Sequence, residues 1–358
     1  MNQDTARTLF EHGAFLILQD VPEGTDFGID WNSWVTGPKF EGVKMIPPGV
    51  HFVFYNTVSK YGGQPAPRTG FFHNFKSKEI MVKRWSPQTE ELLDQHCIED
   101  ELTAIRGKLQ DLDKHLAAYP YDTLKKWVSM TNELTADVTE KLQPDDRKIR
   151  SVLELLPHES TPDDMDTGRT RPTDKDGLPC LNVNPTTVIH FSPIPEQWYP
   201  PGAKPSEMTQ HSMDSSYVLS TLLARYEKPE NILGELQFTF VCFILGQVFD
   251  AFEQWKKLVR VICFCECDLN NHIDLFKSFV TVLYHQINEI PVDFFVDIVS
   301  SNNFLVSTLS RMFNNIEASC FDEELQAKAT KFRKYLTKKY KWKFNAEPED
   351  WAPVVVEL

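Results

Sequence analysis

NILGELQFTFVCFILGQVFDAFEQWKKLVRVICFCEC, residues 231–267, is the stretch around which the chain is organised. Its first half is apolar on almost every side, with Leu233, Leu236, Phe238, Phe240, Val241, Phe243, Ile244 and Leu245. Its second half narrows to a stripe at helical spacing: Val248, Phe249, Phe252, Trp255 and Val259. A helix greasy all round must be covered all round. The spacing therefore predicts one central helix inside a helical domain. Pro229 stops what precedes it, and Asn231 can cap its first free N–H groups. Gln237, Thr239 and Gln247 interrupt the apolar run, leaving it short of the roughly 20 residues that span a bilayer.

Further helices follow from the same periodicity. They are expected over 206–226, 270–290, 291–299, 304–319 and 322–340, each with one apolar stripe. No fixed 34- or 40-residue period recurs, so the pattern does not support a repeat solenoid. Upstream, residues 158–178 (HESTPDDMDTGRTRPTDKDGL) are rich in Asp, Thr and Pro and almost free of apolar groups. Such a segment cannot bury enough surface to order itself and is expected to be a disordered linker. TVIHF, residues 187–191, is a brief strand signal that could pair back onto an N-terminal sheet.

The first half has a different period. AFLILQ (14–19) and HFVFYNTV (51–58) are expected strands, and 70–75 with 79–85 a hairpin joined around Lys76–Lys78. Between them lies a turn-rich stretch punctuated by Gly24, Gly28, Gly37 and Gly42, with Pro48-Gly49 suited to a tight turn. Leu102, Ile105, Leu109, Leu112 and Leu116 then recur at helical spacing, a stripe expected to pack on the sheet and to end by Pro120. Short helices are expected over 4–12, 122–130 and 135–142.

The chain has 358 residues, a net charge of −14, 41% hydrophobic residues and 25% charged residues. That is a soluble globular composition of about two domains. The acidic balance argues against nucleic acid as the main ligand and suits a basic protein partner. The start, MNQDTARTLFEHG, has no apolar core or small-residue cleavage site of a secretory signal. The seven cysteines are an odd number, irregularly spaced, and read as reduced thiols in a cytoplasmic and nuclear protein.

Candidate chemistry is weak. Cys263, Cys265 and Cys267 alternate, which is not the spacing of a zinc site. His211, Ser212, Asp214 and Ser215 crowd one segment, but a nucleophilic triad is defined by geometry, and no Gly-x-Ser-x-Gly elbow occurs. Helix capping explains these residues better. The early glycines are followed by no Gly-Lys-Ser/Thr phosphate loop. The lysines from Lys331 to Lys343 read as a solvated helix face. No catalytic residue, metal or cofactor is expected. After Pro348 and Pro353, Val354-Val355-Val356 is a β-branched run suited to joining the edge of a partner's sheet. Glu347, Glu349 and Asp350 beside it could meet a basic partner. These six residues are the candidate partner-binding site.

Many short motifs in one order resemble the Aar-two family of splicing factors. They include Gly24-Thr25-Asp26-Phe27-Gly28-Ile29-Asp30, Asn32-Ser33-Trp34, Gly37-Pro38-Lys39-Phe40 and Gly42-Val43-Lys44-Met45-Ile46-Pro47-Pro48-Gly49. They continue with Leu124-Lys125-Lys126-Trp127, Lys141-Leu142-Gln143-Pro144, His211-Ser212-Met213-Asp214, Gly234-Glu235-Leu236-Gln237-Phe238 and Ile290-Pro291-x-Asp293-Phe294-Phe295. The likeness thins only over 156–185 and returns at Ala346-Glu347-Pro348-Glu349-Asp350 and Ala352-Pro353-Val354-Val355-Val356-Glu357-Leu358.

The resemblance implies a non-enzymatic assembly factor, or chaperone, of the U5 small nuclear ribonucleoprotein in pre-mRNA splicing. It implies binding to the large spliceosomal scaffold, pre-mRNA-processing factor eight, on its RNase H-like domain, holding off helicase and RNA. The MPN-type domain is a second implied contact; a chain ending directly after the valine run has less left to reach it. The resemblance also implies a VHS-like helical half. The expected fold is α+β: a β-rich N-terminal domain with accessory helices over 1–157, a disordered linker over 158–185, an all-α domain over 186–345 and an extended tail over 346–358. The chain is expected to be monomeric on its own, with no direct nucleic acid or membrane contact. The competing readings are a VHS-like helical adaptor in membrane trafficking, and an unrecognised thiol or hydrolase enzyme.

Overall fold

A computed structural model describes residues 3–56, 66–95, 99–157, 181–290 and 304–344. The chain is α+β, an N-terminal β-sheet region followed by a helical region. It divides into two compact units: Met1–Trp127 with Thr139–His190 and Leu245–Phe249, and Val128–Val138 with Phe191–Ile244 and Asp250–Leu358.

The first unit is built on strand β1 (Ala14–Gln19), whose first five residues are all buried. Alternation is absent because both of its faces are covered. Ala14, Leu16 and Leu18 join one apolar cluster, and Phe15 and Ile17 join another. Strands β2 (Asp26–Ile29), β3 (Asn32–Val35), β4 (Gly42–Ile46), β5 (Gly49–Asn56), β6 (Thr69–Phe75), β7 (Ile80–Ser86) and β8 (Glu91–Asp94) follow. Helix α1 (Gln3–His12) precedes them, and helix α2 (Glu99–Leu112) comes after. Strands β9 (Leu116–Ala118), β10 (Ile149–Arg150), β11 (Leu155–Pro157) and β12 (Leu181–Val183) complete this unit, while helices α3 (Leu124–Thr131) and α4 (Ala136–Leu142) are each divided between the two units.

Two five-stranded sheets result, in orders β8-β7-β1-β4-β9 and β10-β6-β5-β2-β3. β1 runs parallel to β7 and antiparallel to β4. Leu16, Val43 and Trp85 of the first sheet share a core with Phe27, Val53, Phe71 and Phe75 of the second. On the other side of β1, the stripe Leu102, Ile105, Leu109 and Leu112 of α2 packs on Phe15, Ile17 and Val82, as its spacing predicts. Gly42, at φ +127°, sits where an added Cβ would lie 1.9 Å from the Leu16 carbonyl, so no larger residue fits the β1–β4 approach.

Three local expectations are corrected. Residues 70–75 and 79–85 form no hairpin, because β6 and β7 lie in different sheets. A tight corner separates them: Lys76 N donates to Glu79 Oε2 at 2.6 Å, Glu79 N to the Lys76 carbonyl at 3.2 Å, and Lys78 takes φ +62°. Both strands still feed the shared core, face to face rather than edge to edge. The α2 stripe stops at Leu112, and Leu116 leaves the helix to pair with Gly42 in a parallel strand. Residues 187–191 form no strand: Pro185–Thr187 is a 3-10 turn capped by Asn184, and His190 N donates to the Leu142 carbonyl.

The second unit contains helices α5 (Pro205–Met213), α6 (Ser216–Leu223), α7 (Asn231–Ile244), α8 (Phe249–Cys263), α9 (Ile273–Glu289), α10 (Phe304–Ser319) and α11 (Glu323–Tyr340). From Ile232 through Cys242 every residue of α7 is buried, as its all-round apolar surface requires. The central helix is broken, however. Leu245-Gly246 turns the chain, Gln247 adopts φ +58°, and α8 starts at Phe249. The helix expected over 206–226 is likewise two, because Asp214 leaves helical geometry at φ −125°, ψ 118°. Asp322 caps α11 by accepting from Leu325 N at 2.7 Å, and Lys341 closes it at φ +62°. Residues 158–180 of the expected linker and the helix expected over 291–299 lie outside the described residues. Leu181–Val183 pairs antiparallel with Leu155–Pro157 in a two-stranded sheet.

Candidate interaction sites

The motif residues are tied into the architecture. In the first unit Asp30 is fully buried in the two-residue turn between β2 and β3, at φ +52°. Its Oδ2 lies 2.7 Å from His51 Nδ1 and accepts from the Tyr119 hydroxyl at 2.6 Å, while Oδ1 accepts from Phe52 N at 3.0 Å. His51 Nε2 lies 2.8 Å from the Pro47 carbonyl, and the ring stacks on Trp127. Burial, and then the Asp30 carboxylate beside it, push the Tyr119 hydroxyl far above its ordinary value. This is a carboxylate, an imidazole and a phenol in contact, but His51 is 2% exposed and Asp30 0%. A substrate cannot reach them. Their role is to fix the β2–β3 turn, β5 and the Tyr119 segment by pairing Asp30, His51, the Tyr119 hydroxyl and Phe52 N with one another and with the backbone.

Gly234-Glu235-Leu236-Gln237-Phe238 does the same for the second unit. A Cβ on Gly234 would lie 2.6 Å from the Glu133 carbonyl, so segment 128–138 packs directly on the α7 backbone there. Gln237 accepts from Glu133 N at 2.8 Å and donates to Asn132 Oδ1 at 2.9 Å. Glu235 accepts from Ser192 N at 2.9 Å, Gln254 Nε2 at 3.1 Å and the Tyr226 hydroxyl at 2.5 Å. Burial, reinforced by the Glu235 charge, raises the Tyr226 hydroxyl. Both oxygens of this buried carboxylate accept hydrogen bonds, two on Oε1 and one on Oε2, which makes it a clasp between segments.

The His211–Ser216 segment and the cysteines meet. Asp214 Oδ1 accepts from Ser216 N at 3.1 Å, Ser216 Oγ at 2.6 Å and Glu266 N at 2.9 Å. Ser216 Oγ is also 3.3 Å from Cys265 Sγ. Burial opposes the Asp214 charge, but donation from Ser216, Glu266 and Cys267 holds the carboxyl below its ordinary value. Ser215 Oγ donates to the Val261 carbonyl at 2.5 Å, so it is spent on the backbone. His211 stands beside the Tyr217 ring, not Ser215. The geometry is a hydrogen-bonded brace between the start of α6 and the segment after α8; Asp214 takes the Ser216 N–H, while Ser215, the residue at the N-cap, makes no side-chain cap bond.

Cys263 and Cys265 are buried, Cys267 exposed. Burial pushes Cys265 up to about 12. Hydrogen bonding to Asp214, then partial burial, pushes Cys267 up to about 11. Such thiols are protonated at neutral pH and poor nucleophiles. Among the described residues no group of three or more His, Cys, Asp or Glu is placed to hold a metal ion. No helix among them is long and apolar enough to cross a membrane.

Lys331, Lys334, Lys338, Lys341 and Lys343 are exposed along and just past α11, a solvated face. Elsewhere two surface features stand out. Leu155, Leu156, Leu181 and Val183 of the β11–β12 ribbon are exposed together. Phe321, in the loop between α10 and α11, is 88% exposed. Nothing in the amino-acid pattern distinguished Phe321 from the core phenylalanines on either side of it. The six candidate partner-binding residues, Glu347, Glu349, Asp350, Val354, Val355 and Val356, lie outside the described residues.

Residues 12–144 match the family model described as the AAR2 N-terminal domain, and residues 191–345 that of the AAR2 C-terminal repeat region. The chain is 46% identical to the human (Homo sapiens) Protein AAR2 homolog over 372 residues, covering 100% of this chain and 97% of the relative. The corresponding protein of Mus musculus is 45% identical over 374 residues, covering 100% and 97%. That of Caenorhabditis elegans is 38% identical over 360 residues, covering 95% and 97%.

Proposed function

This chain belongs to the AAR2 family, and from that membership we propose that it is a non-enzymatic assembly factor of the U5 small nuclear ribonucleoprotein. Family membership supports the role in splicing, and the observation that carries it is the match of both halves and of the full length to AAR2 proteins. The finer reading is that the chain binds the RNase H-like domain of the large spliceosomal scaffold and withholds it from helicase and RNA. A net charge of −14 fits association with a basic protein surface. The polar clusters favour a binding role over chemistry. Asp30, His51 and Glu235 are sealed in the interior, and the one exposed thiol in the Asp214 cluster is held protonated.

The proposed working compartments are the cytoplasm and the nucleus, with the chain monomeric when free. The tail residues Val354, Val355 and Val356 are proposed to add a strand to a sheet of the scaffold. Glu347, Glu349 and Asp350 are proposed to face its basic residues.

The test is direct binding of the purified full chain to a purified scaffold fragment carrying the RNase H-like domain, followed by size-exclusion chromatography and calorimetry. A one-to-one complex is expected. Free chain at concentrations up to tens of micromolar, with both proteins folded, overturns the reading.

A further inference from the structure

The loop joining α10 to α11 holds an aromatic ring in solvent by construction. Phe321 is 88% exposed, while its neighbours Cys320 and Leu325 are buried. The backbone under it is pinned from several sides. Phe321 N donates to Asn270 Oδ1 at 3.1 Å, and the same Asn270 donates through Nδ2 to the Ser319 carbonyl at 2.7 Å. Gln326 Nε2 donates to the Cys320 carbonyl at 2.8 Å, and Asp322 accepts from Leu325 N at 2.7 Å. Lys277, from α9, reaches Asp322 at 3.2 Å and Glu324 at 2.6 Å. These bonds hold the Phe321 backbone at the surface. The backbone ordering that an aromatic anchor on a loop would otherwise have to undergo on binding has therefore already taken place, leaving only the ring's own torsions to be fixed.

The surroundings specify the partner. Glu317, Asp322, Glu323 and Glu324 are the acidic side chains of segment 317–324, which also holds the buried Cys320 thiol. Lys277 pairs with Asp322 and Glu324, and Arg333 approaches Glu317 at only 3.5 Å. Glu317 and Glu324 keep about three quarters of their side-chain surface in water, at 75% and 73%. An acidic rim around a projecting phenyl ring complements an apolar pocket rimmed by Arg and Lys.

We propose that Phe321 is a preformed anchor that inserts into a basic-rimmed apolar pocket on the splicing scaffold, with Glu323 and Glu324 steering the encounter. This rests on the function proposed above. Large aromatic anchors that enter a desolvated pocket carry a disproportionate share of binding free energy, whereas rim charges act mainly on the association rate.

The test compares the full-length wild type with Phe321→Asp, Phe321→Tyr and the double variant Glu323→Lys/Glu324→Lys. The probe is the purified scaffold fragment with its RNase H-like domain, titrated at low and physiological salt, and each variant's melting temperature is recorded. Phe321→Asp is expected to weaken binding by about tenfold or more with an unchanged melting temperature. Phe321→Tyr is expected to restore most of it, and the charge reversal to slow association and flatten its salt dependence. If the wild type binds and Phe321→Asp binds equally well, the anchor is overturned and the assembly role stands. A fall in melting temperature for Phe321→Asp makes the ring a structural group and also overturns it. If the wild type fails to bind at all, the assembly reading fails and the anchor falls with it.

Discussion

At the scale of single residues, the groups that look most chemical are structural, and their hydrogen bonds say so. Asp30 accepts from Phe52 N and Tyr119 and touches His51, all in the core of the first unit. Replacing one member of such a buried hydrogen-bonded cluster leaves the others without a partner, at a cost of about 1–3 kcal/mol for each orphaned group. Asp30→Asn should therefore lower the denaturation midpoint sharply, while Glu323→Gln on the exposed face should not. A chemical denaturation pair measures this, and equal midpoints would refute the assignment.

Asp214 gives a second residue-level prediction. Its folded carboxyl lies below the ordinary value, so its contribution to stability is present above the unfolded aspartate value of about 3.9. That contribution is lost as pH falls through the lower folded value. Asp214→Asn should erase this acid dependence. It should also release Cys267, whose largest upward influence is its bond to Asp214, so that alkylation by iodoacetamide at pH 8 becomes faster. Unchanged alkylation in the folded variant would show that the Asp214 contact does not control the thiol.

At the scale of elements, the helices and strands with one clear face were legible, and the places where the chain changes partner were not. Ala14–Gln19 and Phe304–Ser319 occupy the spans their patterns predict. The β6–β7 corner was hidden because Phe71, Phe75 and Trp85 must be buried whether their strands pair edge to edge or face each other across a core. The helical stripe ran on to Leu116 because a single apolar residue fits either a helix face or a short parallel strand. The buried cluster of Asp30, His51 and Tyr119 was invisible for a related reason: its members are 21 and 89 positions apart, and only the sheet brings them together.

The break in the central helix was missed because apolar residues continue through it, and its single sign is Gly246-Gln247. Gln247 holds φ +58° and is exposed. Gln247→Gly should relieve the left-handed backbone and stabilise the protein by about 0.5–1 kcal/mol, net of the greater freedom of the unfolded chain. Gln247→Val, with a β-branched side chain at the same φ, should destabilise by about 1–2 kcal/mol. Melting curves of the pair check the sign, and a Val variant as stable as the Gly variant would contradict it.

At the scale of the whole molecule, charge and chain end bear on the proposed partner together. The net charge of −14 should speed association with a basic scaffold surface, so the association rate should fall steeply between low and physiological ionic strength while dissociation changes little. The valine tail is expected to add specificity to that encounter. Pro353 disfavours a helix, and the β-branched side chains of Val354-Val355-Val356 suit the proposed strand, whose alternate residues would face opposite sides. A strand added to a sheet edge gains backbone hydrogen bonds, and side-chain pockets select the sequence. Left alone, such a strand is an exposed edge that either a partner or the protein's own sheet must cover. Removing 353–358 separates the two. The proposed β-augmentation requires weaker scaffold binding, seen as faster dissociation, with an unchanged melting temperature. A lower melting temperature with affinity preserved per folded molecule would place the tail on this protein's own fold. The salt dependence should survive the truncation, because the acidic residues Glu347, Glu349 and Asp350 remain.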